Sequence, residues 1–132
     1  MSNHAQHNTF IFNEEIDKDL LISLYEDDFL YMEEIFSITI AQLKPDIIQL
    51  NSAFESGNLP GVKQAVHKIK PSFGFVGLPT MQEQCKQLED MCGVASSVDQ
   101  IATAYLTLYA RLHECVIIIE SEYRKFKEFN QS

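Results

Sequence analysis

At 132 residues, 45% hydrophobic and 22% charged, the chain has the size and composition of one domain with its own core, which argues against a chain disordered as a whole. Ten basic against nineteen acidic residues give a formal charge of −9, which argues against general binding to nucleic acid or to an anionic membrane, since both would repel it. The opening MSNHAQHNTF has neither the basic region nor the apolar run of a signal peptide, and the longest apolar run, Cys115 to Ile119, is too short to span a bilayer, so a cytoplasmic protein is expected.

Residues 1–14 read as a flexible N-terminal segment and residues 15–129 as one helical domain. The chain begins at Met1 with no evident linker, which fits a free-standing module. A short helix is expected over residues 15–25. From Asp27 to Phe54 the apolar residues Phe29, Met32, Phe36, Leu43, Ile47, Leu50 and Phe54 recur at steps of three, four and seven, one stripe along a long helix. Glu26, Asp27 and Asp28 open it, where the helix dipole favours negative charge. Pro45 is expected to kink this helix without ending it, because the stripe continues in phase.

SGNLPG breaks the chain, and Pro60 suits the first turn of a helix over residues 60–75. After VGLPT comes a helix over residues 80–92, with Met81, Cys85, Leu88 and Met91 or Cys92 on one side. GVASSVD separates it from a last helix over residues 99–129, striped by Ile101, Tyr105, Leu108, Leu112, Cys115, Ile119, Tyr123 and Phe126. Strand signals are weak, and there are no hairpin dipeptides or internal repeats. Four amphipathic helices with short connections predict an all-α fold, an antiparallel up-down four-helix bundle with an additional short N-terminal helix. Cys85, Cys92 and Cys115 show neither CxxC nor zinc spacing and read as reduced, mostly buried thiols.

The segment AVHKIKPSFGFVG, residues 65–77, carries the chemistry. On a helical wheel Val62, Ala65, Val66, Ile69, Phe73 and Val76 share one side, and His67 points about 150° from its centre. An outward imidazole is therefore expected. Lys63, Gln64, Lys70, Pro71 and Gly74 point the same way, at one or two turns from His67. Pro71 has no N–H for the carbonyl four residues back, which is that of His67, so a bend after His67 is expected. Gly74 costs about 1 kcal/mol against alanine in a helix, which suggests a close approach at that point; it equally suits the approaching helix end.

An exposed imidazole titrates near pH 6.5 and offers a nucleophilic nitrogen at neutral pH. A lysine one turn along would stabilise a dianionic group placed on it. No serine, cysteine or acid is evidently placed to orient the ring as in a triad. A metal site is disfavoured because the neighbours are cations and His113 falls on another helix. There is no glycine-rich phosphate loop. Phosphoryl acceptance fits these residues.

HKIKPSFGFVG resembles the signature of histidine-containing phosphotransfer (HPt) domains: a histidine followed by a hydrophobic residue at +2, lysine at +3, a small residue at +5 and glycine at +10. His67, Ile69, Lys70, Ser72 and Gly77 occupy those places, Val76 precedes the glycine, and LPTMQEQCKQLE resembles the family's next helix. The family usually has a small residue where this chain has Pro71, a departure that bears on helix geometry and partner choice. The resemblance implies a phosphocarrier and not an enzyme, moving a phosphoryl group between receiver-domain aspartates. His67 would be phosphorylated and Lys70 would contact the phosphoryl oxygens. Lys63, Gln64, Lys68, Pro71 and Gly74 would meet the partner, with Leu20, Leu24, Phe29 and Met32 adding apolar contact where the core does not claim them. Partners would be receiver domains of response regulators or hybrid histidine kinases. The chain would be a monomer without a cofactor, Mg2+ belonging to the receiver. A helical adaptor that is never phosphorylated is the competing expectation.

Overall fold

In the computed structural model, which describes residues 9–132, the helices follow in the expected order. They are α1 (Lys18–Tyr25), α2 (Phe29–Glu55), α3 (Leu59–Phe75), α4 (Pro79–Val94) and α5 (Ala102–Gln131), with a 3-10 turn at Val98–Ile101. Local chemistry sets the starts. The side chains of Asp17, Asp28 and Asn58 accept the N–H groups of Leu20, Tyr31 and Gly61, satisfying donors that a helix start leaves free. Neither interior proline ends its helix, since α2 runs on through Pro45 and α3 through Pro71. The last helix begins three residues later than its apolar stripe suggested, because Val98–Ile101 winds as a 3-10 turn.

Each helix buries the face that its periodicity marks. Phe36, Leu43 and Leu50 of α2 meet Val62, Val66, Ile69 and Phe73 of α3, Cys85 and Leu88 of α4, and Tyr105, Leu112, Ile119 and Phe126 of α5. Each such side chain contributes about 1.5–3 kcal/mol of transfer free energy. The stretch Val98–Gln131 is apolar and long enough to cross a membrane by length and composition, a property that the core helix of a bundle shares. The three cysteines are free and buried, and burial pushes the thiols of Cys85 and Cys115 up to about 12 and about 11, which leaves them protonated and inert.

Two long helices stand beside two short ones. α2 and α5 have 27 and 30 residues against 17 and 16 in α3 and α4, so the long pair is longer by roughly 15–20 Å at about 1.5 Å per residue. α1 and the chain before it cover this overhang. Phe10 stacks on Phe126 at 4.5 Å between ring centroids. The fully buried Glu122 accepts the N–H of Asn13 at 3.0 Å and is paired at 3.0 Å with Lys125, whose Nζ also donates to the carbonyl of Ile11 at 2.6 Å. A buried carboxylate is costly unless satisfied in this way. Among the described residues Phe10 and Phe12 already pack against the core, ahead of the boundary expected at residue 15; residues 1–8 of the expected flexible segment lie outside the described residues.

Candidate functional site

The link between α3 and α4 fixes the site. Gly77 turns the chain at φ +78°, a left-handed conformation that suits glycine, and a Cβ there would lie 2.9 Å from Ile16 Cγ2 and 3.3 Å from the Asp17 carbonyl oxygen. The N–H of Leu78 closes back on the carbonyl of Phe73 at 2.8 Å. This tight turn sets an antiparallel register in which Gly74 faces Gln82. Seven residues further along each helix His67 faces Glu89, and four further still Lys63 faces Gly93.

His67 is exposed, with 68% of its side chain open to solvent, as its place opposite the buried stripe required. Its Nδ1 lies 2.6 Å from Glu89 Oε2, and Lys70 Nζ lies 2.7 Å from Glu89 Oε1. One carboxylate therefore holds both groups. The hydrogen bond from Lys70, with that from His67, keeps the Glu89 carboxyl below its usual range against the opposing effect of burial. An ionised carboxylate only accepts, so the proton between it and the ring belongs to Nδ1. In the neutral imidazole the lone pair is then on Nε2, on the side away from Glu89.

Glu89 corrects the expectation that no acid orients the imidazole. It flanks the buried Leu88 on α4, and a short connection such as VGLPT places residues at equal distances from the turn opposite each other in an antiparallel pair. That was the available signal.

The other expected site residues separate into groups. Lys70 is half-buried against α4. Lys63, Lys70, Lys86, Glu89, Asp90, Gly93 and Val94 line a cavity of about 450 Å3 beside the histidine. Lys68 turns to α2, where its Nζ lies 3.1 Å from Asp46, and Gln64 lines a groove between α2 and α3. Pro71 is exposed one turn beyond His67. At Gly74 the group that approaches is internal: a Cβ would stand 2.8 Å from Gln82 Oε1, so the glycine makes room for α4. Of the apolar residues considered for contact, Met32 is fully buried, Phe29 packs on Phe126 and Phe129, and Leu24 remains half exposed.

The Hpt domain family matches residues 34–120, a span that includes His67, Lys70 and Glu89. The chain belongs to the Hpt domain family. Its fold is also similar to the HPT domain of a sensor hybrid histidine kinase from Shewanella, with a TM-score of 0.73 and 15% identity over 84% of this chain and 95% of the other. No curated protein matches the chain. As an Hpt domain it is a phosphotransfer module of two-component signalling, in a family of phosphocarriers that work with receiver domains.

Proposed function

We propose that His67 is the phosphoryl carrier and that Nε2 is the atom that bonds to phosphorus. The observation that supports this most is the hydrogen bond from Nδ1 to Glu89, which leaves the exposed ring a single nucleophilic nitrogen. The donor is the acyl phosphate of a receiver-domain aspartate. The Nε2 lone pair forms the N–P bond as the P–O bond to the aspartate breaks, the carboxylate leaves with that electron pair, and the Nδ1 proton stays on the ring against Glu89. Reversal onto a second receiver completes the relay.

Positioning and electrostatics dominate phosphoryl transfer. Glu89 supplies orientation and stabilises the positive charge that spreads onto the ring as the N–P bond forms. Lys70, held next to His67 on the same carboxylate, is the cation for the arriving phosphoryl oxygens. The Mg2+ belongs to the receiver, and the chain works as a cytoplasmic monomer without a cofactor. Lys63, Gln64, Lys68 and Pro71 are exposed within about one turn of His67 and belong to the face that a receiver covers.

Incubation with a phosphorylated receiver domain tests this. Acid-labile, alkali-stable phosphate is expected on the wild type and on His113→Gln, and none on His67→Gln. An unlabelled wild type would leave the adaptor reading in its place.

A further inference from the structure

A phosphoryl group on Nε2 sets two anions in competition for Lys70, whose Nζ is already 2.7 Å from Glu89 Oε1. If the lysine turned to the phosphoryl oxygens and nothing replaced it, Glu89 would be left without its lysine, only 15% exposed and beside a dianion. The carboxylate would then draw a proton and lose its hold on Nδ1.

The cavity between α3 and α4 contains a replacement. Among the described residues Lys63 makes no salt bridge, whereas Lys86 is engaged by Asp90 at 3.2 Å and Lys68 by Asp46. Lys63 lies one turn before His67 and lines the same cavity as Glu89. Its Nζ sits 3.5 Å from the point where Gly93 would carry a Cβ, four residues from Glu89 on α4. Glycine at that point leaves the path along α4 clear for a flexible ammonium.

We propose that Lys63 is a positioning residue that takes over Glu89 when Lys70 moves to the phosphoryl group, an inference that rests on the phosphocarrier reading. The two lysines flank one carboxylate in turn, so Glu89 stays ionised and His67 keeps its tautomer through both halves of the transfer. The groups facing Glu89 in this exchange are His67, Lys63 and Lys70 of α3, with the Lys86–Asp90 pair lining the cavity from Glu89's own helix.

The exchange can be measured without phosphorylation, by NMR titration of the His67 ring in the intact protein. Lys70→Gln removes the first cation and lets Lys63 take its place. Lys63→Gln and Lys70→Gln alone are expected to move the His67 midpoint only slightly. Together they raise it by about one pH unit, since no cation then opposes the imidazolium. Lys63→Arg in the Lys70→Gln background should restore the single-variant midpoint. Two single shifts that sum to the double shift would overturn the proposal, as would a Lys63→Gln substitution that leaves the Lys70→Gln midpoint unmoved. With phosphoramidate as the donor, phosphorylated wild type should keep its hydrogen-bonded Nδ1–H signal and Lys63→Gln should lose it; retention in the variant counts against the exchange. Failure of phosphoramidate to label His67 would instead count against the carrier reading, while the titration still reads the lysines.

Discussion

Glu89 reaches across from α4 to hold His67 Nδ1 and Lys70 Nζ on its two oxygens, at 2.6 and 2.7 Å. The orientation of the exposed ring is therefore set by a residue on a different helix, through the register of the α3–α4 pair. Charge-assisted contacts of this kind are the stronger class of hydrogen bond.

Glu89→Ala should leave the fold intact and release the ring. Nitrogen-15 NMR of the imidazole should change from one tautomer, protonated at Nδ1, to a mixture. Phosphoryl uptake from a receiver should slow by about tenfold, the equivalent of roughly 1.4 kcal/mol and within the range of a charged hydrogen bond. An unchanged tautomer signal would remove Glu89 from the site.

Lys70→Ala should slow phosphoryl uptake by a similar factor of about ten. Its effect on stability should be about 1–3 kcal/mol, which the fold survives, because the ion pair that it breaks is largely buried and Glu89 loses a partner. Transfer kinetics with a phosphorylated receiver, beside urea denaturation, separate the two effects.

The Glu89 carboxyl is held below its usual value in the folded chain, mainly by Lys70. A depressed carboxylate contributes stability that is fully present above its unfolded pKa, near 4.3, and is lost as pH falls through the lower folded value. The stability difference between wild type and Glu89→Gln should accordingly be constant from neutral pH to about 5 and shrink in more acidic buffer. Urea midpoints measured at a series of pH values would show this.

Two glycines of the motif should respond in opposite ways. In Gly74→Ala the new methyl meets the far end of the flexible Gln82 side chain, which can move, and alanine favours the helix by about 1 kcal/mol. Stability should stay within about 1 kcal/mol of wild type. In Gly77→Ala the methyl meets Ile16 and the Asp17 backbone at a positive φ, and a loss above about 2 kcal/mol is expected. Urea denaturation of both variants decides the point.

Phe10→Ala should cost about 2–3 kcal/mol, because the ring stacks on Phe126 and meets Phe12 and Phe129 edge-on. Thermal denaturation is the direct test. A negligible change would show that the segment before α1 adds little to the bundle.

The bundle was legible because every long helix repeats its apolar residues at a period that only a helix satisfies. The outward face of His67 followed from the same wheel, with Val62, Val66, Ile69 and Phe73 all buried opposite it. Periodicity within one helix says nothing about what the next helix brings alongside, so Glu89 was not found. The close approach suspected at Gly74 was real, yet it came from Gln82 of the neighbouring helix. Phe10 and Phe12 carry no periodic signal, since a chain crossing the overhang of two helices is held by individual rings and by Glu122 and Lys125.

With one ring atom pinned by Glu89, the imidazole has a single doorway. On the phosphocarrier reading, upstream and downstream receivers must queue for the same spot, and neither can be seated while the other is present. Flux through such a relay would fall when either receiver is supplied in large excess, a form of traffic control that comes from the geometry of one side chain.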